Sequence, residues 1–347
     1  MTNNSQNIKK KISKDFIKIL KNICGKKVSP LHEPFFTKEE KKSLESCINS
    51  TFVSTKSSLI KKFEKKIATY TKSKNVIAVI NGTSALQICL IASGLKAKEE
   101  VFLPSFNFVA AANAAVYCGG TPHFLDIDAK TLSVDPIKFN NYLEESFIIK
   151  NKKCYNKNTK QRVRAIIIPH LFGHPAKIDN LVKIARKNNL FVIEDAAESL
   201  GSFYKKKHTG TFGDLGVLSF NGNKIITTGG GGAIISNRVS LTKKIRILVD
   251  VSKKNHNWKF DYYGVGYNMK MPGLNAALGN AQIKSIEKMV KIHRLIFRKY
   301  KTEIIKSKFF DLVREPVNSR SNYWLQNIIL KDQYYAYRDY LIELSNK

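Results

Sequence analysis

Leu218-Ser219-Phe220-Asn221-Gly222-Asn223-Lys224-Ile225-Ile226-Thr227-Thr228-Gly229-Gly230-Gly231-Gly232 is the most informative run in this chain. An apolar, strand-like lead from Gly216 to Phe220 ends at a polar turn, a single lysine follows, and a run of glycines closes the stretch. Lys224 sits between Asn223 and two β-branched isoleucines, unlike the solvated lysine runs elsewhere. A lysine pinned in a partly buried turn has a lowered pKa and can act as an amine nucleophile. Glycines permit positive φ and close approach of backbone to a bound group. Taken alone, the run reads as a surface lysine beside a flexible loop. Its setting has to decide.

Outward from that run, strand and helix patterns alternate. Short apolar strands are expected at Val76–Ile80, Val101–Leu103, Thr121–Leu125, Ala165–Ile168, Leu190–Ile193, Gly216–Phe220 and Ala233–Ile235. Helices are expected between them at Ala85–Ser93, Phe106–Tyr117 and Ile178–Lys187, with two amphipathic helices upstream at Lys38–Ile48 and Leu59–Tyr70. Continuous apolar strands separated by helices predict an α/β fold with a mostly parallel sheet covered on both faces. Sites in such sheets gather at the carboxyl ends of the strands. A polar, basic insertion between Glu144 and Arg164, containing Cys154, Asn156 and Lys157, reads as a hairpin outside the sheet. Beyond Leu241 the alternation stops. Helices at Leu241–Val249, Pro272–Met289 and Ile292–Ile305, a strand at Tyr323–Leu330 and a helix at Tyr334–Leu344 predict a smaller α+β domain. The expected organisation is a basic N-terminal extension (1–28), a large domain (29–250) and a small C-terminal domain (251–347).

With 347 residues, 43% hydrophobic and 10% aromatic, the chain can bury a large core and is not a disordered polyelectrolyte. Its 59 basic and 27 acidic residues leave a net charge of +32. The lysines are spread along the whole length and no arginine-rich arm or nucleic-acid motif accompanies them, so nucleic acid is not an expected partner. The five cysteines are odd in number and lack metal-like spacing, which fits a reducing cytoplasm. No run approaches the length of apolar sequence that spans a bilayer. Met1–Lys27 is basic and weakly amphipathic around Phe16, Ile17, Ile19, Leu20 and Ile23, lacks a signal peptide's apolar core, and is expected to be a mobile arm.

Several residues at strand ends could carry chemistry. Gly82-Thr83-Ser84 opens a helix, where free N–H groups and the dipole make an anion cradle, or where Ser and Thr simply cap. Asp195 ends an apolar strand and is desolvated unless it meets a cation such as a protonated heterocycle; an N-cap role is the alternative. His170 and His174 follow another strand and could contact substrate or satisfy loop carbonyls. Neither has a partner at metal-ligand spacing, so no metal is expected. Phe108 could stack on a flat ring or belong to the core. An anion cradle, a strand-end Asp, an aromatic, and Ser219 five residues before Lys224 together make a pyridoxal 5'-phosphate site. That cofactor needs an amine for its Schiff base, an acid opposite its ring nitrogen and donors for its phosphate.

These motifs resemble the DegT/StrS-type nucleotide-sugar aminotransferases, which are pyridoxal-phosphate-dependent enzymes of fold type I. The resemblance rests on Asn81-Gly82-Thr83-Ser84-Ala85-Leu86, Ile193 to Glu198, Ser219 to Gly232, Gly266-Tyr267-Asn268 and Leu274 to Gly279. It implies Lys224 as the Schiff-base lysine and Asp195 as partner of the pyridinium nitrogen. It also implies Thr83, Ser84 and Ser219 at the phosphate, Phe108 on the ring and Glu198 near the ring hydroxyl. Asn268 matches a position that reaches the partner subunit's phosphate, implying a homodimer with shared active sites. Leu31-His32-Glu33-Pro34, the Cys154 insertion and Phe172-Gly173-His174-Pro175 resemble the branch that uses L-glutamate to aminate carbon 4 of UDP-4-keto-6-deoxy-N-acetylglucosamine, on routes to legionaminic acid or bacillosamine. His32, His170 and His174 would then meet substrate. Two departures stand out. Met269-Lys270 replaces the family's aromatic-Arg pair, and Lys cannot copy a bidentate arginine. Family members also extend past Lys347, so the small domain is expected to be truncated. The alternatives are a sugar dehydratase of the same family, which carries His in place of the lysine, and a non-catalytic or regulatory homologue.

Overall fold

The computed structural model describes residues 3–25, 29–256 and 258–346. Helix α1 (Asn3–Cys24) comes first, and it is docked. Its stripe at helical spacing puts Ile12 and Ile19 into a buried cluster with Ile304, Phe310, Leu312 and Leu341 near the other end of the chain. Lys9 lies over the Tyr340 ring, 3.8 Å from its centroid. The expected mobile arm is therefore corrected to a packed helix. An apolar stripe this regular is more stable covered than solvated.

Helix α2 (Lys38–Asn49) starts at a capping box, with the Glu40 carboxylate accepting the Thr37 N–H at 2.7 Å. Helix α3 (Ser58–Thr71) buries Ile60, Phe63 and Ile67 on one face. The alternating core follows in order: β1 (Asn75–Val79), α4 (Gly82–Ser93), β2 (Glu100–Pro104), α5 (Ala110–Tyr117), β3 (Thr121–Leu125) and α6 (Pro136–Ser146). Next come the hairpin β4 (Phe147–Lys150) and β5 (Lys153–Asn156), then β6 (Arg162–Pro169), α7 (Ile178–Lys187) and β7 (Phe191–Asp195). Short β8 (Phe203–Tyr204) and β9 (Lys207–His208) precede β10 (Leu215–Ser219), β11 (Gly232–Ser236) and α8 (Val239–Val249).

The main sheet runs in the order β1-β11-β10-β7-β6-β2-β3. Pairings from β10 through β3 are parallel, while β11 is antiparallel to both β1 and β10. One reversed strand thus makes a mixed sheet, and the carboxyl ends of β1, β10, β7, β6 and β2 share one edge. Every residue of β2, β7 and β11 is buried, as a sheet covered on both faces requires. The hairpin expected outside the sheet is joined to it, since β5 pairs with β6 at Cys154–Val163. Buried Glu100 holds it there, accepting from Asn156 Nδ2 at 3.1 Å and Thr159 Oγ1 at 2.5 Å.

Beyond α8 the expected helix Pro272–Met289 is broken by a tight turn at Ile283–Ser285 into α9 (Gly273–Gln282) and α10 (Ile286–Ile304). Strands β12 (Phe310–Leu312), β13 (Ser319–Arg320) and β14 (Ile328–Leu330) and helix α11 (Arg338–Ser345) complete the described chain. The strand expected from Tyr323 shrinks to β14 because Tyr323 takes a left-handed φ of 50° and its neighbours are tied down by side-chain hydrogen bonds. No described helix is long and apolar enough to cross a membrane.

Candidate active site

The turn after β1 and the carboxyl ends of β6, β7 and β10 enclose a cleft of about 300 Å³, and Trp324 lines it from the C-terminal part of the chain. Thr83, Phe108, His170, Asp195, Glu198, Ser219 and Lys224 all line it. Residues from widely separated segments therefore meet at one sheet edge.

Lys224 is held at its base. Its N–H donates to the Asn221 carbonyl at 3.0 Å, and Ile225 and Ile226 are buried in the core beside it. Its Nζ stands 3.7 Å from Glu198 Oε1 and 3.9 Å from the centre of the Trp324 ring. Burial pushes the Lys224 amine below the ordinary lysine range, against the opposing pull of Glu198 and Asp195.

Asp195 closes β7, and its carboxylate accepts a hydrogen bond from the Ala197 N–H at 3.1 Å. Burial raises its carboxyl above the usual range, with the Ala197 bond, Lys224 and His170 acting the other way. Glu198 is likewise raised by burial, and its Oε2 accepts the Phe172 N–H at 2.7 Å. One buried and one half-buried carboxyl thus share the cleft with a half-buried amine.

At the other end, the Asn81 side chain accepts the Ser84 N–H at 2.7 Å and the Asn81 carbonyl accepts the Ala85 N–H at 3.1 Å. The Gly82 and Thr83 N–H groups are left as orphan donors at the start of α4, beside Ser219. Ser84 itself lies one step inside, with its N–H committed to the cap. The glycine run supports this turn from behind. A Cβ on Gly232 would come 2.6 Å from the Asn81 carbonyl carbon, and Gly229 has φ +77°. None of these glycines lines the cleft of the single chain, and Gly232 is the one that packs against the Asn81 turn.

The histidines divide. His170 lines the cleft, but its Nε2 stands 3.0 Å from Glu194 Oε2 and its Nδ1 accepts the Ala176 N–H at 3.1 Å. Both ring nitrogens are engaged within the protein, so only its ring surface can meet a ligand. His174 is buried edge-on against Tyr323 and does not line the cleft. His32 stacks on His293 at 5.4 Å, and neither of its ring nitrogens has a partner. Burial, then His293 and Lys224, push His32 down to about 4. Asn268 lies outside the cleft, bridged to Asp250, and Phe108 is 66% exposed. Sequence reasoning missed Trp324, a single tryptophan inside a stretch that read as strand.

The donors fit pyridoxal phosphate: a half-buried amine, a strand-end carboxylate with one hydrogen bond, and orphan N–H groups at a helix start beside a serine hydroxyl.

Residues 34–347 match the DegT/DnrJ/EryC1/StrS aminotransferase family. The chain is similar to the GDP-perosamine synthase of Escherichia coli O157:H7, with 34% identity over 307 residues, 88% of this chain and 79% of that protein. The UDP-4-amino-4,6-dideoxy-N-acetyl-beta-L-altrosamine transaminase of Campylobacter jejuni subsp. jejuni is 30% identical over 285 residues, 82% of this chain and 72% of that one. A solved DegT DnrJ EryC1 StrS aminotransferase from Brucella abortus superposes with a TM-score of 0.78 at 26% identity, covering 88% of this chain and 79% of that chain.

Proposed function

Because the chain belongs to the DegT/DnrJ/EryC1/StrS aminotransferase family, which is pyridoxal-phosphate-dependent, we propose that it moves an amino group from L-glutamate to carbon 4 of a UDP-linked 4-keto-6-deoxy-N-acetylhexosamine. The product would feed a surface polysaccharide or glycan of the legionaminic acid or bacillosamine type. The observation that carries amino transfer is Lys224, a half-buried amine that shares the cleft with one buried and one half-buried carboxyl. The UDP and 4-amino-4,6-dideoxy parts of the Campylobacter relative's name support the finer reading. The GDP-perosamine synthases favour a second one, in which the nucleotide is GDP. Lys224 itself argues against the dehydratase alternative, whose members carry His at that place. The reading includes a cytoplasmic homodimer.

Bound pyridoxal phosphate supplies a carbonyl carbon that receives and passes on the amino group, and a ring that draws in electrons. The chain's own residues do the rest. Lys224 would anchor the cofactor, and its Nζ would take up and give back a proton. Burial favours its neutral form, the form that accepts a proton. Asp195 would pair with the ring nitrogen and favour its protonated form. The Gly82 and Thr83 N–H groups and the Ser219 hydroxyl, with the Ser84 hydroxyl behind them, hold the phosphate. Phe108, which lines the cleft, would cover the ring, and Glu198 would steer Lys224. Asn268 completes the phosphate site of the neighbouring subunit.

The test supplies purified protein and cofactor with glutamate and either UDP- or GDP-linked 4-keto-6-deoxy sugars, and follows the amino sugar by mass. Amination of the UDP sugar is expected, and Lys224→Ala should abolish it. Amination of the GDP sugar alone would replace the UDP reading. Full turnover by Lys224→Ala would remove the role given to the lysine.

A further inference from the structure

We propose that Trp324 is the positioning residue of Lys224: its ring face seats the amine, and its indole N–H fixes the backbone of the lysine turn. The inference rests on the reading of the cleft as an amino-transfer site. The Lys224 amine stands 3.7 Å from the nearest Glu198 oxygen, longer than a hydrogen bond, so that carboxylate alone does not fix its place. The second contact is the Trp324 ring, whose centre lies 3.9 Å from Nζ. An indole face attracts a cation most strongly among the aromatic side chains, and more so where water is excluded. The Lys224 and Trp324 side chains are both largely shielded from solvent. The indole Nε1–H donates to the Asn223 carbonyl at 2.6 Å, which ties the ring to the residue immediately before the lysine.

The ring itself is held by a buried polar network. Asn322 Oδ1 accepts the Trp324 N–H at 2.8 Å, and its Nδ2 donates to the Glu198 and Leu200 carbonyls at 2.9 Å each. Ser202 Oγ accepts the Asn322 N–H at 2.9 Å, while the Ser202 and Ser321 hydroxyls both donate to the Gly173 carbonyl. Gly173 has to be glycine here, since its φ is +89° and a Cβ would stand 1.8 Å from Asn322 Oδ1. Asn322 therefore joins the two groups flanking the amine, Trp324 and Glu198, into one rigid unit.

The consequence falls at a definite moment in the reaction. When Lys224 has left the cofactor and taken a proton from the substrate carbon, it is an untethered ammonium on a flexible stem. The indole face holds that charged form within reach of the carbon to which the proton returns. Once the proton has gone, the amine is neutral and the attraction lapses.

Trp324→Phe keeps a ring face and Trp324→Leu removes it. The pH dependence of Lys224 acetylation by acetic anhydride, mapped by mass in the cofactor-free full chain, reads the amine directly. The Leu variant should shift the midpoint down by about one pH unit, and Phe should keep most of the wild-type value. In the holoenzyme, Leu should lower kcat about tenfold, with KM for the keto sugar within about twofold, while Phe stays within about threefold in kcat. An unchanged or raised midpoint with unchanged kcat in the Leu variant overturns the proposal. So does a Phe variant as impaired as Leu, which would leave only the indole N–H. If Leu fails to fold, Trp324→Met fills similar space without a ring and takes its place. Failure of the wild-type chain to transfer nitrogen would sink the reaction assigned above, while the acetylation midpoints would still decide the seat.

Discussion

Lys224 and Glu198 pull on each other's protons in a cleft where burial works against both charges. The carboxylate raises the lysine pKa, so Glu198→Gln removes a stabiliser of the ammonium and moves the amine's titration further down. The rising limb of the kcat–pH profile should move to lower pH in that variant; a limb that stays put or moves up would show that Glu198 does not act on Lys224. His208 makes a second pH prediction. Its Nδ1–H donates to the Thr209 carbonyl at 2.5 Å and its Nε2 accepts the Gly201 N–H at 2.9 Å, an arrangement that only the neutral ring can make. Burial lowers its pKa to about 4. The unfolded chain therefore binds the proton first, and stability falls as pH drops from about 6.5 towards 4. Between pH 8 and 5 the loss from His208 is about 2 kcal/mol, to be read from urea denaturation and flattened by His208→Gln. Asp195, Thr83 and Ser219 were legible in the sequence because each closes a strand or opens a helix, and Lys224 because it sits in the polar turn just after such a strand; such places are visible in hydrophobic pattern. The tertiary bonds of His170 were not legible, because its partner Glu194 belongs to the neighbouring strand.

At the level of elements, the alternation of strands and helices was readable from continuous apolar runs, and so was the shared edge where their carboxyl ends meet. What hydrophobic periodicity could not show was which faces find which partners. The stripe of α1 was visible at Phe16 and Ile19, yet its cover comes from α10, β12 and α11, far along the chain. Likewise Trp324 looked like one more apolar residue of a strand until the left-handed Tyr323 and the Asn322 bonds turned it into the cleft. The packing of Gly232 against Asn81 in another loop was hidden for a related reason, since sequence spacing does not encode that encounter. Helix α1 lies outside the matched family region, which makes its contribution testable apart from the chemistry. Ile12→Asp places a carboxylate in a fully apolar site and should cost about 3 kcal/mol or more. A lower Tm with faster proteolysis at α1 is expected. A Tm equal to wild type would mean the helix contributes little.

For the whole molecule, the question is how one chain completes its own site. Asn268, assigned to a phosphate site, lies outside the cleft of its own chain and is bridged instead to Asp250. Two stretches of the chain expose several large apolar side chains. Phe106, Val109, Val116 and Tyr117 are exposed along α5 and the loop before it, as are Trp258, Phe260, Tyr263 and Val265 in the segment leading to Asn268. Exposed aromatic surface on this scale is what an interface leaves when one partner is considered alone. A two-fold dimer would cover it and carry each Asn268 to the partner's phosphate site. Subunit mixing tests this with two defective proteins. Lys224→Ala has no anchoring amine but keeps Asn268, whereas Asn268→Ala keeps the amine and lacks its complement. If sites are shared, each mixed dimer holds one site with both residues intact. Equal mixing with free exchange should then restore roughly a quarter of wild-type activity, since half the dimers are mixed and half their sites are whole. If Asn268 served only its own chain, the two defects would segregate into separate sites and mixing would restore nothing. Light scattering on each protein alone confirms that both still pair, so that a failure to complement reports on the site and not on assembly.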